Sequence, residues 1–265
     1  MFPGESESGV RSGCGWPLYA KRRRKHTRAA ACLLPACAVT FPAMSKPTVT
    51  RMTCARIPPE YGDFQLCYYT NTVDKKEHLA FCMGDLAQSE NVLVRIHSEC
   101  FTGDVMGSQR CDCGEQLHRS MAMVASEGLG VIVYLRQEGR GIGLLQKLHA
   151  YNLQDQGYDT VDANLLLGHK ADEREYSLAA RILDDLEVKS VRLMTNNPLK
   201  IEALQAEGIR VTARVSLEGA VNPENEQYLL TKARRMDHLL APRPGYSAPV
   251  SEKKVSEPHA PQPAN

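Results

Sequence analysis

The sequence predicts an α/β protein of mixed α+β type, with a mostly parallel or mixed sheet and flanking helices. Short apolar runs alternate with amphipathic segments from about position 91 onward, the order that joins parallel strands through helices. Residues 130–135 (GVIVYL) are an unbroken apolar run, as in a strand buried on both faces. At 265 residues the chain can bury a sizeable core, as one domain with tails or as two small domains.

Each element has its own local signal. Residues 91–97 (NVLVRIH) read as a strand ending in charged residues. Residues 115–127 place Leu117, Met121 and Val124 at helical spacing and stop at Gly128. A second helix is expected over 141–153, with Leu144, Leu145, Leu148 and Tyr151 on one face, and a third over 174–186, with Leu178, Ile182, Leu183 and Leu186. Residues 191–195 read as a strand, 199–207 as a helix ending at Gly208, and 209–215 as a strand.

Composition removes several function classes. The chain is 43% hydrophobic and 24% charged, with no apolar run long enough for a membrane-spanning helix, so no membrane partner is expected. A net charge of +1 gives no general affinity for polyanions, and no nucleic-acid partner is expected. Residues 1–48 differ from the rest: no acidic residue lies between Val10 and Pro59, while Lys21, Arg22, Arg23, Arg24, Lys25 and Arg28 cluster there. Such a leader suits an organelle transit peptide, or an over-extended reading frame with translation starting at Met44; a secretory signal fits less well because Pro35 and Pro42 interrupt the apolar stretch. The expected location is cytoplasmic, or a plastid or other organelle if the leader is a transit peptide. The catalytic domain is placed at 49–240, and the Pro- and Lys-rich residues 241–265 read as a disordered tail.

Two constellations carry chemistry. Cys100, Cys111 and Cys113 fall within 14 residues, in polar, glycine-containing surroundings. Clustered thiols point to a reducing compartment and a metal. Three cysteines leave a fourth position for water, as in catalytic zinc sites; a closed structural site would recruit His97 or His118. Both readings fit the spacing.

The second constellation is Arg136-Gln-Glu-Gly-Arg140-Gly-Ile-Gly143, between a strand and a helix, where backbone N–H groups and Arg140 can meet phosphate. Thr195-Asn-Asn-Pro-Leu-Lys200 sits at a second strand-to-helix junction, with Lys200 equally readable as a solvated helix lysine. Asp172 and Glu175 have the spacing of a helix capping box, and Tyr151 alone reads as a core aromatic.

Taken together, RIHSECFTGDVMGSQRCDCGEQL, RQEGRGIGL, AYNLQDQGYDTVDAN, ADERE, TNNPLK and NPENEQYLLTKARRMDHLL closely resemble GTP cyclohydrolase II over roughly residues 50–240. The resemblance implies a GTP cyclohydrolase II-like catalytic domain that opens the imidazole ring of GTP. Formate and pyrophosphate leave, giving a 2,5-diamino-6-ribosylamino-pyrimidinone 5′-phosphate, the first step of riboflavin synthesis. It implies one catalytic Zn²⁺ on Cys100, Cys111 and Cys113, Mg²⁺ with the triphosphate, and a homodimer. GTP contacts fall on Arg95, Ile96, His97, Ser98, Glu99, Gln116, Glu138, Gly139, Arg140, Thr160, Thr195 and Lys200. Asp172 and Arg174 match the family's proton acceptor and nucleophile towards the α-phosphate, and Tyr151 its active-site tyrosine, whose presence argues for the complete reaction. An arginine keeps its proton, so electrostatic stabilisation is the easier role for Arg174. The segment before the match is too short for a dihydroxybutanone-phosphate synthase domain, so the monofunctional form is the expectation. Competing readings are a partial enzyme stopping at the formamide or using another purine nucleotide, a zinc-stabilised nucleotide-binding subunit, and a redox protein using Cys111 and Cys113.

Overall fold

A computed structural model describes residues 46–240. The expectations for the tail and for nearly all of the leader lie outside the described residues.

The elements run β1 (Val49–Ile57), β2 (Phe64–Asn71), β3 (His78–Met83), β4 (Val92–Ser98), α1 (Phe101–Asp104), α2 (Cys113–Glu127), β5 (Gly130–Leu135), a 3₁₀ turn (Glu138–Gly141), α3 (Gly143–Asp155), α4 (Thr160–Leu166), α5 (Ser177–Asp185), β6 (Val191–Met194), α6 (Pro198–Ala206), β7 (Val211–Val215) and α7 (Glu226–Arg235). One seven-stranded sheet has the order β1-β2-β3-β5-β4-β6-β7. Strands β5, β4, β6 and β7 are mutually parallel, and β1, β2 and β3 extend the sheet antiparallel from β5. The mixed sheet with flanking helices agrees with the expected class.

Alternation along β4 explains how one strand serves two purposes. Val92, Val94 and Ile96 join the core on the face covered by α5, with Val131, Val133, Ile182, Leu183 and Leu193. Leu93 belongs to the opposite face with Phe64, Met121, Val124, Ile132 and Met194. The pleat therefore puts Arg95 and His97 on the α2 face, beyond the last apolar layer. Fully buried Ile182 and Leu183 each contribute about 1.5–3 kcal/mol by leaving water.

Helix ends follow local chemistry. Gly128 closes α2 in the left-handed conformation (φ 70°), its N–H reaching the Val124 carbonyl. Asp159 caps α4 through the Val161 and Asp162 amides, and Asn197 caps α6 ahead of Pro198.

Three local expectations change. The helix expected from 174 begins at Ser177, and Asp172 bonds the backbone and guanidinium of Arg174 instead of capping it. On α3 the leucines face outward, with Leu145 66% exposed, while the inner face carries Lys147 and Ala150. The inner face borders a polar cavity, so its residues are chosen for charge rather than hydrophobicity. Cys54 and Cys67, directly opposed on β1 and β2, form a disulfide, whereas reduced thiols were expected; Cys100, Cys111 and Cys113 are free.

Candidate active site

Strands β4, β5 and β6 deliver their C-terminal ends to one region, where α/β sheets place ligands. Cys100 follows β4, Cys111 lies in the next loop, and Cys113 opens α2. Their sulfurs all lie within 4.8 Å of one another, with Cys100 Sγ and Cys111 Sγ 3.6 Å apart. Zinc–thiolate bonds of ~2.3 Å in a tetrahedron space sulfurs by about 3.8 Å, so the trio fits such an ion. Gly103 packs under it: a Cβ there would stand 2.9 Å from Cys111 Sγ and 3.1 Å from Cys100 Sγ. Neither histidine weighed as a fourth ligand belongs to the group: His97 Nε2 lies 3.0 Å from the Asp104 carboxylate, and the His118 ring packs on Tyr61.

A buried polar frame holds the thiols. Lys147 Nζ donates to Cys100 Sγ at 3.1 Å, Thr102 Oγ1 at 2.9 Å and Glu138 Oε1 at 2.8 Å. Glu138 also accepts from the Phe101 and Gly139 amides. Asp104 accepts from the Cys100 amide and the Tyr134 hydroxyl. Hydrogen bonds from Cys111 and Cys113, with the Lys147 ammonium, hold Cys100 far below the usual thiol range despite its burial. Burial opposes the charge of Lys147, but Cys100, Tyr151 and Glu138 outweigh it and raise its pKa.

Beside the thiols lies a cationic cavity. Arg95, Arg140, Arg174, Lys200 and Lys232 line it, with Gln116, Thr195 and Asn197. Lys200 is 4% exposed, which overturns its reading as a solvated helix lysine. It donates to the Ile96 carbonyl at 2.7 Å, and burial, with Arg95 and Arg174 nearby, pushes its pKa well down. Burial works against the charge of Arg174, but Tyr176 and the Asp172 carboxylate outweigh it. Asp172 grips Arg174 from behind, accepting from Nε at 2.8 Å, and does not itself line the cavity. Buried Arg95 Nε, His97 Nδ1, Arg140 Nη2 and Asn197 Nδ2 have no partner within the protein.

The remaining expected residues divide by position. Ser98 and Arg140 border both the cavity and the thiol pocket; Glu99, Glu138, Gly139, Tyr151 and Thr160 border the thiol pocket. Ile96 points its side chain into the core and offers only its carbonyl, already taken by Lys200. The glycine turn is left-handed at Gly139 and at Arg140 (φ 63° each), a strained setting for arginine. Its amides are partly used internally, Gly139 N by Glu138 and Gly141 N by the Gln137 carbonyl, so Arg140 rather than a full amide cradle faces the cavity. Tyr151 lies under the Arg110 guanidinium, 4.5 Å from the ring centroid, and burial raises its pKa, so it keeps its proton.

Sequence reasoning left Asp112, Lys147, Tyr228, Lys232 and His238 without roles, although all five border these pockets. Helix α7 brings in Tyr228 and Lys232, and Arg235 ties that helix to Asp159 and Asp162 at the start of α4. The following segment is pinned by the Leu239 amide to the Asn196 carbonyl at 2.8 Å.

Fold and site thus define an α/β protein with a metal-suited three-thiol centre opening onto a cationic pocket. The family model for GTP cyclohydrolase II matches residues 50–216, and the chain belongs to that family. "Riboflavin biosynthesis protein RibBA" of Bacillus velezensis is 54% identical over 193 residues, covering 72% of this chain and 48% of that protein. The proteins of the same name from Bacillus subtilis and Chlamydia trachomatis are 53% and 55% identical, each over 193 residues and 72% of this chain, and over 48% and 46% of themselves. The chain therefore spans about half the length of these curated relatives. No helix among the described residues is long and apolar enough to cross a membrane.

Proposed function

We propose that this chain catalyses the zinc-dependent opening of the GTP imidazole ring, releasing formate and pyrophosphate and leaving the diaminopyrimidinone ribosyl phosphate that begins riboflavin synthesis. The observation that carries this reading is the shared wall. Ser98, Cys113, Arg140, Arg174 and Tyr228 border both the thiol pocket and the cationic cavity, so a nucleotide can place its base at the thiols while its phosphates meet the arginines.

Cys100, Cys111 and Cys113 would hold the zinc, which supplies Lewis acidity and a nucleophilic water near neutral pH. Lys147 and Glu138 fix the thiols in place. Tyr151, still protonated, can donate a hydrogen bond to the opening ring. Arg140 and Arg174 offset phosphate charge, an incoming phosphate favours the charged form of Lys200 that burial opposes, and the donors without protein partners are satisfied by substrate. Asp172 aims Arg174 and keeps it cationic, so Arg174 stabilises charge at the α-phosphate and does not attack it. Mg²⁺ enters with the triphosphate. A second copy of the chain is the proposed partner, supported by the outward leucines of α3.

The test is mass spectrometry of the products formed from GTP by zinc-loaded protein with Mg²⁺. Formate, pyrophosphate and the diaminopyrimidinone phosphate are expected together. A formamidopyrimidine product would refute the complete reaction, and unchanged GTP with folded, metal-loaded protein would refute turnover. A nucleotide trapped covalently on Arg174 would overturn its electrostatic role.

A further inference from the structure

Asp112 stands between two of the thiols and is 3% exposed. A carboxylate so deeply buried is tolerated only when its charge is met. Lys232 Nζ, on α7, donates to Oδ1 at 2.7 Å. Gln116 Nε2 donates to Oδ2 at 2.5 Å. The other end of that amide, Gln116 Oε1, accepts from Arg95 Nη2 at 2.6 Å. All four side chains line the cationic cavity.

We propose that Asp112 and Lys232 are positioning residues that lock the Gln116 amide in one orientation, so that docking of α7 sets which purine edge is accepted at the end of the cavity that Cys113 shares with the thiol pocket. The proposal rests on reading Gln116 as a contact of the base. The two ends of an amide have nearly the same shape, and a half-turn exchanges donor for acceptor. Here a half-turn would set the carbonyl against the Asp112 carboxylate and the NH₂ against the Arg95 guanidinium. Two charge-assisted hydrogen bonds would become two repulsions. Locked, Gln116 retains one N–H and one lone pair in fixed places. That pair complements an edge with a carbonyl beside a ring N–H, as in guanine. It mismatches an edge with an amino group beside a bare ring nitrogen, as in adenine or 2,6-diaminopurine. Lys232 stabilises the Asp112 carboxylate against its burial, which makes the lock depend on a helix more than a hundred residues away in sequence.

The probes are GTP and 2,6-diaminopurine riboside triphosphate, which keeps the 2-amino group and reverses the 1,6 edge. Binding of each to metal-loaded protein is measured by calorimetry, with kcat/KM for GTP alongside. Lys232→Met is expected to shrink the preference for GTP about tenfold or more. Lys232→Arg should restore it. In a Gln116→Ala background, Lys232→Met should change the preference no further. An unchanged preference in Lys232→Met, or an effect fully additive with Gln116→Ala, would overturn the proposal, because a merely structural helix weakens both nucleotides alike. Hydrogen exchange over residues 226–235 supplies a readout that needs no turnover. Exchange should quicken equally in Lys232→Met and Asp112→Asn, and unaltered exchange in both would remove α7 docking from the argument. Failure of GTP turnover by the unaltered chain would sink the proposed function while leaving the exchange result to stand or fall separately.

Discussion

Around the three thiols nearly every polar group has a partner inside the protein, whereas across the shared wall three buried donors and one imidazole nitrogen have none. Glu138, Asp104 and Lys147 each make two or more internal contacts, which together brace the segment that carries Cys100. Arg95 Nε, His97 Nδ1, Arg140 Nη2 and Asn197 Nδ2 wait on the other side. The contrast separates two ways of preparing a site. A metal centre gains from ligands already held at bonding distance, because every loose sulfur weakens the ion. A pocket for a polyphosphate gains from donors that only the ligand can satisfy, because an unmet buried donor is a cost that binding removes.

Perturbing each half alone should separate them. On the cationic side, Arg174→Gln is expected to lower kcat by about 10²–10³-fold with metal content unchanged. Arg174→Lys keeps the charge and should recover part of that loss. Metal loss in parallel with activity would show that the halves are not independent. On the thiol side, Gly103→Ala places a methyl against two sulfurs and is expected to weaken metal affinity by about 10–100-fold. Metal titration against a competing chelator reads this directly, and unchanged affinity would break the preformed-ligand account.

The smallest effect concerns acid. Burial, then Lys232, lowers the pKa of His238 to about 3, with Arg174 and Arg140 adding to the effect. The unfolded value is about 6.5, so between the two the unfolded chain binds more protons and stability rises with pH. Stability is therefore lost as pH falls below about 6.5. His238→Gln should reduce the loss between pH 7 and pH 5 by about 1–2 kcal/mol, read by chemical denaturation at each pH. An unchanged pH slope would place His238 outside the buried cationic side.

The sequence made the buried parallel strands legible and β1 illegible for a physical reason. Strands β4, β5 and β6 are buried and read as apolar runs. Strand β1 is exposed along almost its whole length, so it carries no alternation to detect. Within the site, the spacing of Cys100, Cys111 and Cys113 announced itself because thiols rarely cluster without purpose. Lys147 and Lys232 did not. A lysine on a helix reads as solvated until tertiary packing turns that face inward, and no local pattern encodes the turn. Asp172 misled in the opposite direction: its spacing to Glu175 imitates a cap, but Arg174 takes its oxygens first.

Strand β4 also limits which length changes the gene can tolerate. It is hydrogen-bonded on both sides, to β5 and β6, with Arg95 and His97 serving the cavity and Val92, Val94 and Ile96 the core on the other face. Inserting or deleting one codon there would slide the pairing by one position and drive the Arg95 guanidinium among Val131, Val133 and Ile182, while presenting Ile96 to the substrate. The loop at Lys75 and Lys76, between β2 and β3, bears no such double duty and can absorb the same change.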